Sequence, residues 1–487
     1  MIQEREKYPL YLIFITVLIL RLLWIDNKNL WFDEIYSWNL SSDNLVSLIY
    51  RTASDIHPPL YYLLLKLWIT IAGDTVFSMR LLSALFSSFS VFYIYALSRN
   101  ILSRNESLIV IFFYAVSPLN LFYSQEVRMA SMNLFLNVGA VYYLIRIIKT
   151  DDNSTGRNLR YHVFYLIFLL SAIYTHYISF AMLAAHMVFL IYKYRLNTGK
   201  YKRFILIYLI TFIFYIPWLN IMISQVSRGQ PWRSHQNLHQ VLYENLNYIK
   251  DLNLGLYYHY ADYNIVNIIT YYLVFVYLLS SVMIMFRKQL QESEFNVILI
   301  VVPLILSCIV SFWQKIEFYR YLSILVPYIL IFTVFSLGIM KKYLLYPVLL
   351  ILFGVNVYGT ILTYRFDFKN NDYRQIVKYA DDNYKEGDRL YIEPHYYRWI
   401  ADYYLREQGM RIKPVYINYG FNEILDSVKT QNPERFWLIL DYGVQDTSLY
   451  VNYINTLSEN YITEQVKIYN LAPNKAELYL FRKKADH

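Results

Sequence analysis

The chain has 487 residues, of which 57% are apolar or aromatic and only 17% charged, with a mean hydropathy of +0.27. A soluble domain carries about a quarter charged residues, so intrinsic disorder, collagen and a small disulfide scaffold are excluded, and the single Cys308 inside an apolar run excludes an intrachain disulfide and a cysteine metal cluster. A net charge of +9 alone would suit nucleic acid, but with this hydropathy it points to a membrane and to no nucleic-acid partner.

In chain order, apolar stretches close to the roughly 20 residues that cross a bilayer as helix predict spans at Leu10–Ile25, Met79–Leu97, Ser107–Phe122, Ala130–Ile148, His162–Tyr174, Ile178–Tyr192, Phe204–Met222, Tyr263–Phe286, Phe295–Trp313, Leu322–Met340 and Tyr343–Tyr364. The first lacks a small-residue cleavage site and is read as a span, not a leader. Pro58–Ala72 is apolar enough to cross, and whether it does sets the sidedness of everything after it. If it lies along the interface, Arg99, Arg104, Arg146, Lys149, Arg160, Lys193 and Lys341 all fall on the cytoplasmic side with Arg5 and Lys7, as the positive-inside rule requires. It is therefore read as a juxtamembrane helix opening at Pro58-Pro59, where missing amide donors do least harm.

After Tyr364 charges become frequent and turn signals such as Glu386-Gly387-Asp388 and Asn432-Pro433 appear. Helices are predicted at Asp372–Tyr384, Tyr396–Gln408 and Phe421–Lys429, and strands at Arg389–Ile392, Lys413–Ile417, Phe436–Leu440, Glu464–Ile468 and Glu477–Phe481. The expected architecture is a polytopic α-helical membrane domain over 1–364, with about 11 transmembrane helices, and a C-terminal soluble α/β domain over 365–487. With the amino terminus inside, that domain is extracytoplasmic. Residues 365–487 hold 17 basic and 18 acidic residues, so the positive excess belongs to 1–364, and the predicted cytoplasmic segments, with 17 basic and 7 acidic, carry all of it. The +9 is a topology signal.

Ionisable groups at span mouths are costly and therefore candidates for function. On the predicted outer side they are Asp33 and Glu34 after the first span, then Asp55 and His57, then Arg80, then Gln125, Glu126 and Arg128. His176 and Tyr177 sit in a hairpin, and Lys315, Glu317, Tyr319, Arg320 and Tyr321 precede the tenth span. Asp33 and Glu34 can supply a general base for an incoming hydroxyl or amine. Arg128 and Arg320 can hold a phosphate bidentately and stabilise it as it leaves. The bland alternatives are a solvated acidic turn and arginines that snorkel to membrane lipid headgroups. A divalent metal between the two carboxylates is left open; no other cofactor is implied.

The succession WFDE, DIHPPLYYLLLKLW, MRLLSALFS, SPLNLFYSQEVRMAS, THYISF and EFYRYLSILVP resembles the polyprenyl-phosphate-sugar glycosyltransferases of the GT-C superfamily. More narrowly it resembles the branch of protein O-mannosyltransferases, lipid A aminoarabinose transferases and RgtA/B/C/D-like enzymes. The resemblance covers roughly residues 5 to 365 and implies a GT-C fold. It implies Asp33, with Glu34, as the acidic motif and Asp33 as catalytic base. Arg128, Arg320 and Arg80 become the donor phosphate group, and His57, Gln125, Glu126, His176, Tyr177 and Tyr321 substrate contacts. His57 stands where aminoarabinose transferases place a lysine, which weakens an aminosugar donor. The implied reaction is inverting transfer from undecaprenyl or dolichyl phosphate to an envelope lipid, glycan or protein. Competing classes are a transporter or flippase of lipid-linked sugars, which should spread polar groups along a path, and a noncatalytic scaffold.

Overall fold

A computed structural model describes residues 4–150, 155–194, 198–228, 236–258, 261–283, 290–315, 318–365, 373–394, 397–415, 421–441, 447–470 and 475–484. Glu317, the end of the eighth predicted span at Phe286 and the end of the predicted strand at Ile417 lie outside them. The helices are α1 (Glu4–Leu22), α2 (Phe32–Ser42), α3 (Leu45–Ser54), α4 (Leu60–Ala72), α5 (Val76–Ser98), α6 (Arg104–Ala115), α7 (Pro118–Ser124), α8 (Ala130–Lys149), α9 (Thr155–Thr175), α10 (Ser179–Tyr194), α11 (Thr198–Arg228), α12 (Leu238–Leu254), α13 (Tyr263–Met283), α14 (Leu290–Ser311), α15 (Phe318–Tyr321), α16 (Val326–Leu337) and α17 (Lys342–Arg365). There follow α18 (Tyr373–Asp382), β1 (Arg389–Glu393), α19 (Arg398–Glu407), α20 (Phe421–Gln431), β2 (Arg435–Asp441), α21 (Thr447–Asn460), β3 (Tyr461–Asn470) and β4 (Lys475–Lys483).

The chain divides into two compact units: Met1–Ile25 with Leu40–Gly73 and Phe77–Phe366, and Asp26–Asn39 with Asp74–Val76 and Asp367–His487. Two short pieces that precede the second predicted span thus group with the C-terminal residues, a division no local composition reveals.

The first unit is a multi-span membrane domain. Among the described residues seven helices are long and apolar enough to cross, eight if the bent pair α6–α7 counts as one, and four shorter apolar helices accompany them. Burial sorts them. The span Tyr319–Leu337 is 78% buried and Ala130–Lys149 67%, whereas Tyr263–Met283 is 22% and Phe204–Arg228 28% buried, so the former are central and the latter offer their apolar surface to lipid. The core joins α1, α5, α6, α8, α16 and α17 through residues such as Val17, Ile94, Val110, Val138, Leu330 and Leu352.

The predicted single span Ser107–Phe122 is broken, with a bend of 57° between α6 and α7. Pro118 is the cause: it opens α7 and excludes helical ψ at Ser117, which sits at ψ 113°. The break strands carbonyls at the end of α6, and the wholly buried Arg21 of α1 takes them, donating Nη1 to Ala115 O at 2.7 Å and Nη2 to Tyr114 O at 3.0 Å. Thr360 Oγ1 donates to Val116 O at 2.8 Å from α17.

The interface segment predicted at Pro58–Ala72 is α4, capped by Pro59 and ended by Gly73 at φ +78°. Its 13 residues make about 20 Å, short of the roughly 30 Å hydrocarbon core.

In the second unit the sheet runs β1-β2-β4-β3, with β1 and β2 parallel and the other pairs antiparallel. The period-2 pattern of β2 puts Phe436, Leu438 and Leu440 on one face, where they pack with Ile424 and Val428 of α20 and Leu457 of α21. On the other face Trp437 donates to Asp388, which Arg435 also holds. Predicted strands and helices match β1, β2, β3, β4, α18, α19 and α20 within a few residues. At 413–415 only an isolated bridge pairs Pro414 with Leu390.

Candidate active site

In the first unit the chain brings His57, His176, Tyr177 and Tyr321 to one cavity of about 420 Å³. His57 stands in the turn between α3 and α4, His176 and Tyr177 in the tight turn joining α9 to α10, and Tyr321 ends α15. The rings meet edge to face: His57 and His176 centroids are 5.6 Å apart, His176 and Tyr321 5.0 Å. His176 Nδ1 accepts from the Ile178 amide at 3.1 Å, which assigns the neutral ring's proton to Nε2 and leaves that atom a donor. His57 Nδ1 faces Asp55 Oδ2 at 3.4 Å.

Gln225, Gln314 and Lys315 add polarity to the cavity. Gln225 ends the lipid-facing α11, and its Nε2 donates to Thr52 O at 2.8 Å and Ala53 O at 3.3 Å, carbonyls of the last turn of α3. Tyr177 donates to Gln225 Oε1 and accepts from Trp218 Nε1 at 3.1 Å. Burial pushes the Tyr177 phenol up to about 12, so it stays a neutral donor. Lys315 follows α14 and pairs with Glu244 of α12 at 3.5 Å. The remaining lining is apolar: Ile56, Ile178, Phe180, Ala181, Val226, Leu306 and Val310, with Ser307. Along α14 and beyond, it passes from Leu306 and Val310 to Gln314 and Lys315, from hydrocarbon to cation. A polar residue in the last turn of an apolar span, or a lysine just past one, was the available signal for Gln225 and Lys315.

The other expected residues are not among those that line it. Gln125 donates Nε2 to Arg21 O at 3.0 Å and Leu23 O at 2.7 Å, and Arg80 donates Nη1 to Ile25 O at 2.7 Å. Both satisfy carbonyls at and just beyond the end of α1, a structural task. Glu126 and Arg128 are buried between α7 and α8, and Arg128 Nη1 reaches Tyr62 OH of α4 at 3.4 Å. Arg320 is half-buried and adjoins Tyr321.

Asp33 and Glu34 belong to the second unit, in the first turn of α2, where negative charge complements the helix dipole. Glu34 is buried, and its Oε2 accepts from the Trp31 amide at 3.3 Å, capping its own helix. Asp33 is half-buried. Among the described residues no three His, Cys, Asp or Glu side chains gather to hold a metal ion.

Residues 56–221 match the family model described as dolichyl-phosphate-mannose-protein mannosyltransferase. By structure the chain is similar to ArnT from Cupriavidus metallidurans in the apo state, at 12% identity with a TM-score of 0.62 over 96% of this chain and 97% of that one. The same protein bound to undecaprenyl phosphate matches at 10% identity and 0.61 over the same shares. The archaeal oligosaccharyltransferase AglB from Archaeoglobus fulgidus, in complex with an inhibitory peptide and a dolichol-phosphate, matches at 11% and 0.51 over 97% of this chain and 74% of that one. At these identities the likeness establishes the fold. No curated protein matches the chain by sequence.

Proposed function

We propose that the chain is a glycosyltransferase of the GT-C superfamily that transfers a sugar from a polyprenyl phosphate to a lipid, glycan or protein acceptor at the outer face of the plasma membrane, inverting the anomeric centre. The observation that carries this reading is the amphiphilic cavity, where Lys315, two histidines and two tyrosines share a wall with Phe180, Leu306 and Val310. Such a lining suits a ligand that joins a phosphate to a hydrocarbon tail, and a tail dissolved in the bilayer brings its reactive end to the site without a nucleotide pocket.

In the proposed reaction Asp33 takes the proton of the acceptor hydroxyl, whose oxygen attacks the anomeric carbon from the face opposite the phosphate. The bond from that carbon to the phosphate oxygen breaks, and the lipid phosphate departs with the electron pair. Arg128 and Arg320 stabilise it, joined by Lys315 and by Nε2 of His176, while Arg80 supports the end of α1. Polar groups clustered at one face, with the basic loops opposite, support outer-face catalysis.

The test is release of polyprenyl phosphate from its sugar in proteoliposomes. A charged hydrogen bond contributes about 1.5–3 kcal/mol, so Lys315→Ala and Arg320→Ala should each raise the donor KM about 10- to 100-fold. Unchanged donor KM in both would overturn the phosphate site, and translocation of intact donor without sugar transfer would make the protein a flippase.

A further inference from the structure

Residues Phe32–Asn39 of α2, Asp33 among them, share a compact unit with the C-terminal residues, where α19 and the Asp74 turn hold them. Tyr404 of α19 accepts from the Leu30 amide at 2.7 Å, two residues before α2 begins. Phe32 stacks on Trp399, with centroids 6.3 Å apart, one residue before Asp33. One turn and a half later Trp38 meets the edge of Tyr403 at 5.1 Å. Asp74, in the turn between α4 and α5, closes the set: it pairs with Arg406, accepts from Trp38 Nε1 at 3.1 Å, and its carbonyl accepts from Tyr403 at 3.0 Å. The Arg406 guanidinium lies 4.9 Å over the Trp38 ring. Leu30 and Ile35 are wholly buried. Thus each turn of α2 up to Trp38, and the residue leading into it, touches α19 or the Asp74 turn.

We propose that the C-terminal domain is a positioning element for the catalytic base: Trp399, Tyr404 and Arg406, the last through Asp74 and Trp38, fix the rotation of α2 against α19 and so aim the Asp33 carboxylate. The physical argument is one of length. An eleven-residue helix is marginal alone in water, and a base misplaced by about 1 Å can cost about 10²-fold in rate. The domain would then be required for the chemical step and not for loading the donor. The proposal rests on Asp33 being the base, and the experiment separates the two.

The full-length chain is reconstituted in nanodiscs, with Cys308→Ser and a nitroxide on Asn39→Cys of α2, and assayed with a polyprenyl-phosphate sugar. Arg406→Ala and Trp399→Ala are expected to lower kcat at least tenfold with donor KM within twofold, and to sharpen the nitroxide spectrum towards free motion. The charge exchange Arg406→Asp with Asp74→Arg should recover much of kcat and the immobile spectrum, which a general loss of folding would not. If kcat stays near the parent value while the label becomes mobile, or if donor KM rises as kcat falls, the positioning role is wrong. If the label stays immobile in both variants, α19 does not hold α2. Retained transfer by Asp33→Asn would instead overturn the reading of the base, with the label spectra still deciding whether α19 anchors the helix.

Discussion

Gln225 offers the sharpest test of how the cavity is built. In Gln225→Leu the chain loses the donations to Thr52 O and Ala53 O and the acceptor of the Tyr177 hydroxyl. The losses are unequal. Thr52 O still accepts from the Asp55 amide at 3.1 Å, and Ala53 O from Arg228 at 3.0 Å, so each carbonyl forfeits only a net bond of about 0.5–1 kcal/mol. The Tyr177 hydroxyl keeps the Trp218 donor but has lost its acceptor, at about 1–3 kcal/mol for a buried donor. The leucine returns some apolar burial, so the net cost is about 2–3 kcal/mol. Equilibrium unfolding in mixed micelles measures it. Because Tyr177 and Gln225 share one bond, the double variant with Tyr177→Phe should fall short of the sum of the two single costs by about 1 kcal/mol or more. Strict additivity, or a Gln225→Leu cost below about 0.5 kcal/mol, would refute the network. As the same contacts end α3 two residues before Asp55, the donor KM should rise alongside.

Two further predictions concern the frame. A Cβ on Gly359 would lie 2.6 Å from Leu254 Cα and 2.7 Å from Asn253 O, backbone atoms of α12 that cannot swing aside, whereas one on Gly354 meets nothing. Gly359→Ala should cost about 1–3 kcal/mol, while Gly354→Ala, gaining helix propensity, should stabilise α17 by up to about 1 kcal/mol; unfolding of the pair reads the contrast. Burial pushes the Asp251 carboxyl of α12 up to about 8, Lys250 opposing and Glu244 adding to it. The folded chain therefore keeps a proton there that the unfolded chain has released above 3.8, so stability falls as pH rises from that value to about 8, by up to about 1.4 kcal/mol per unit. In Asp251→Asn that slope should vanish between pH 5 and 8; an unchanged slope assigns it elsewhere.

Hydropathy made the spans legible because lipid demands long apolar runs, and short apolar, aromatic-rich runs near turn signals exposed β2 and β4. The break at Ser117 was also within reach, since Pro118 alone dictates it, yet the apolar run masked it. Arg21 was not legible: at the end of an apolar stretch it looks like a snorkelling cation, and only the carbonyls freed 93 and 94 residues away explain its burial. His57, His176, Tyr177 and Tyr321 were picked individually and lie together. By contrast Gln125 and Arg80, chosen for the same polarity, attend to the end of α1. Residue type tells which atoms can do chemistry, and the partners across the fold tell which of them are already employed. The grouping of Asp33 with α19 depends on contacts some 370 residues apart in sequence, which no local pattern encodes.

The central claim is that Asp33 is the base that activates the acceptor of a lipid-phosphate sugar. It is tested most directly by single-turnover transfer from a polyprenyl-phosphate sugar in proteoliposomes by the Asp33→Asn protein. The substitution keeps the size of the side chain and removes its charge and basicity. The account predicts a fall in the chemical rate of about 10²–10⁴-fold with donor binding within twofold of the parent; transfer at a near-native rate would contradict it.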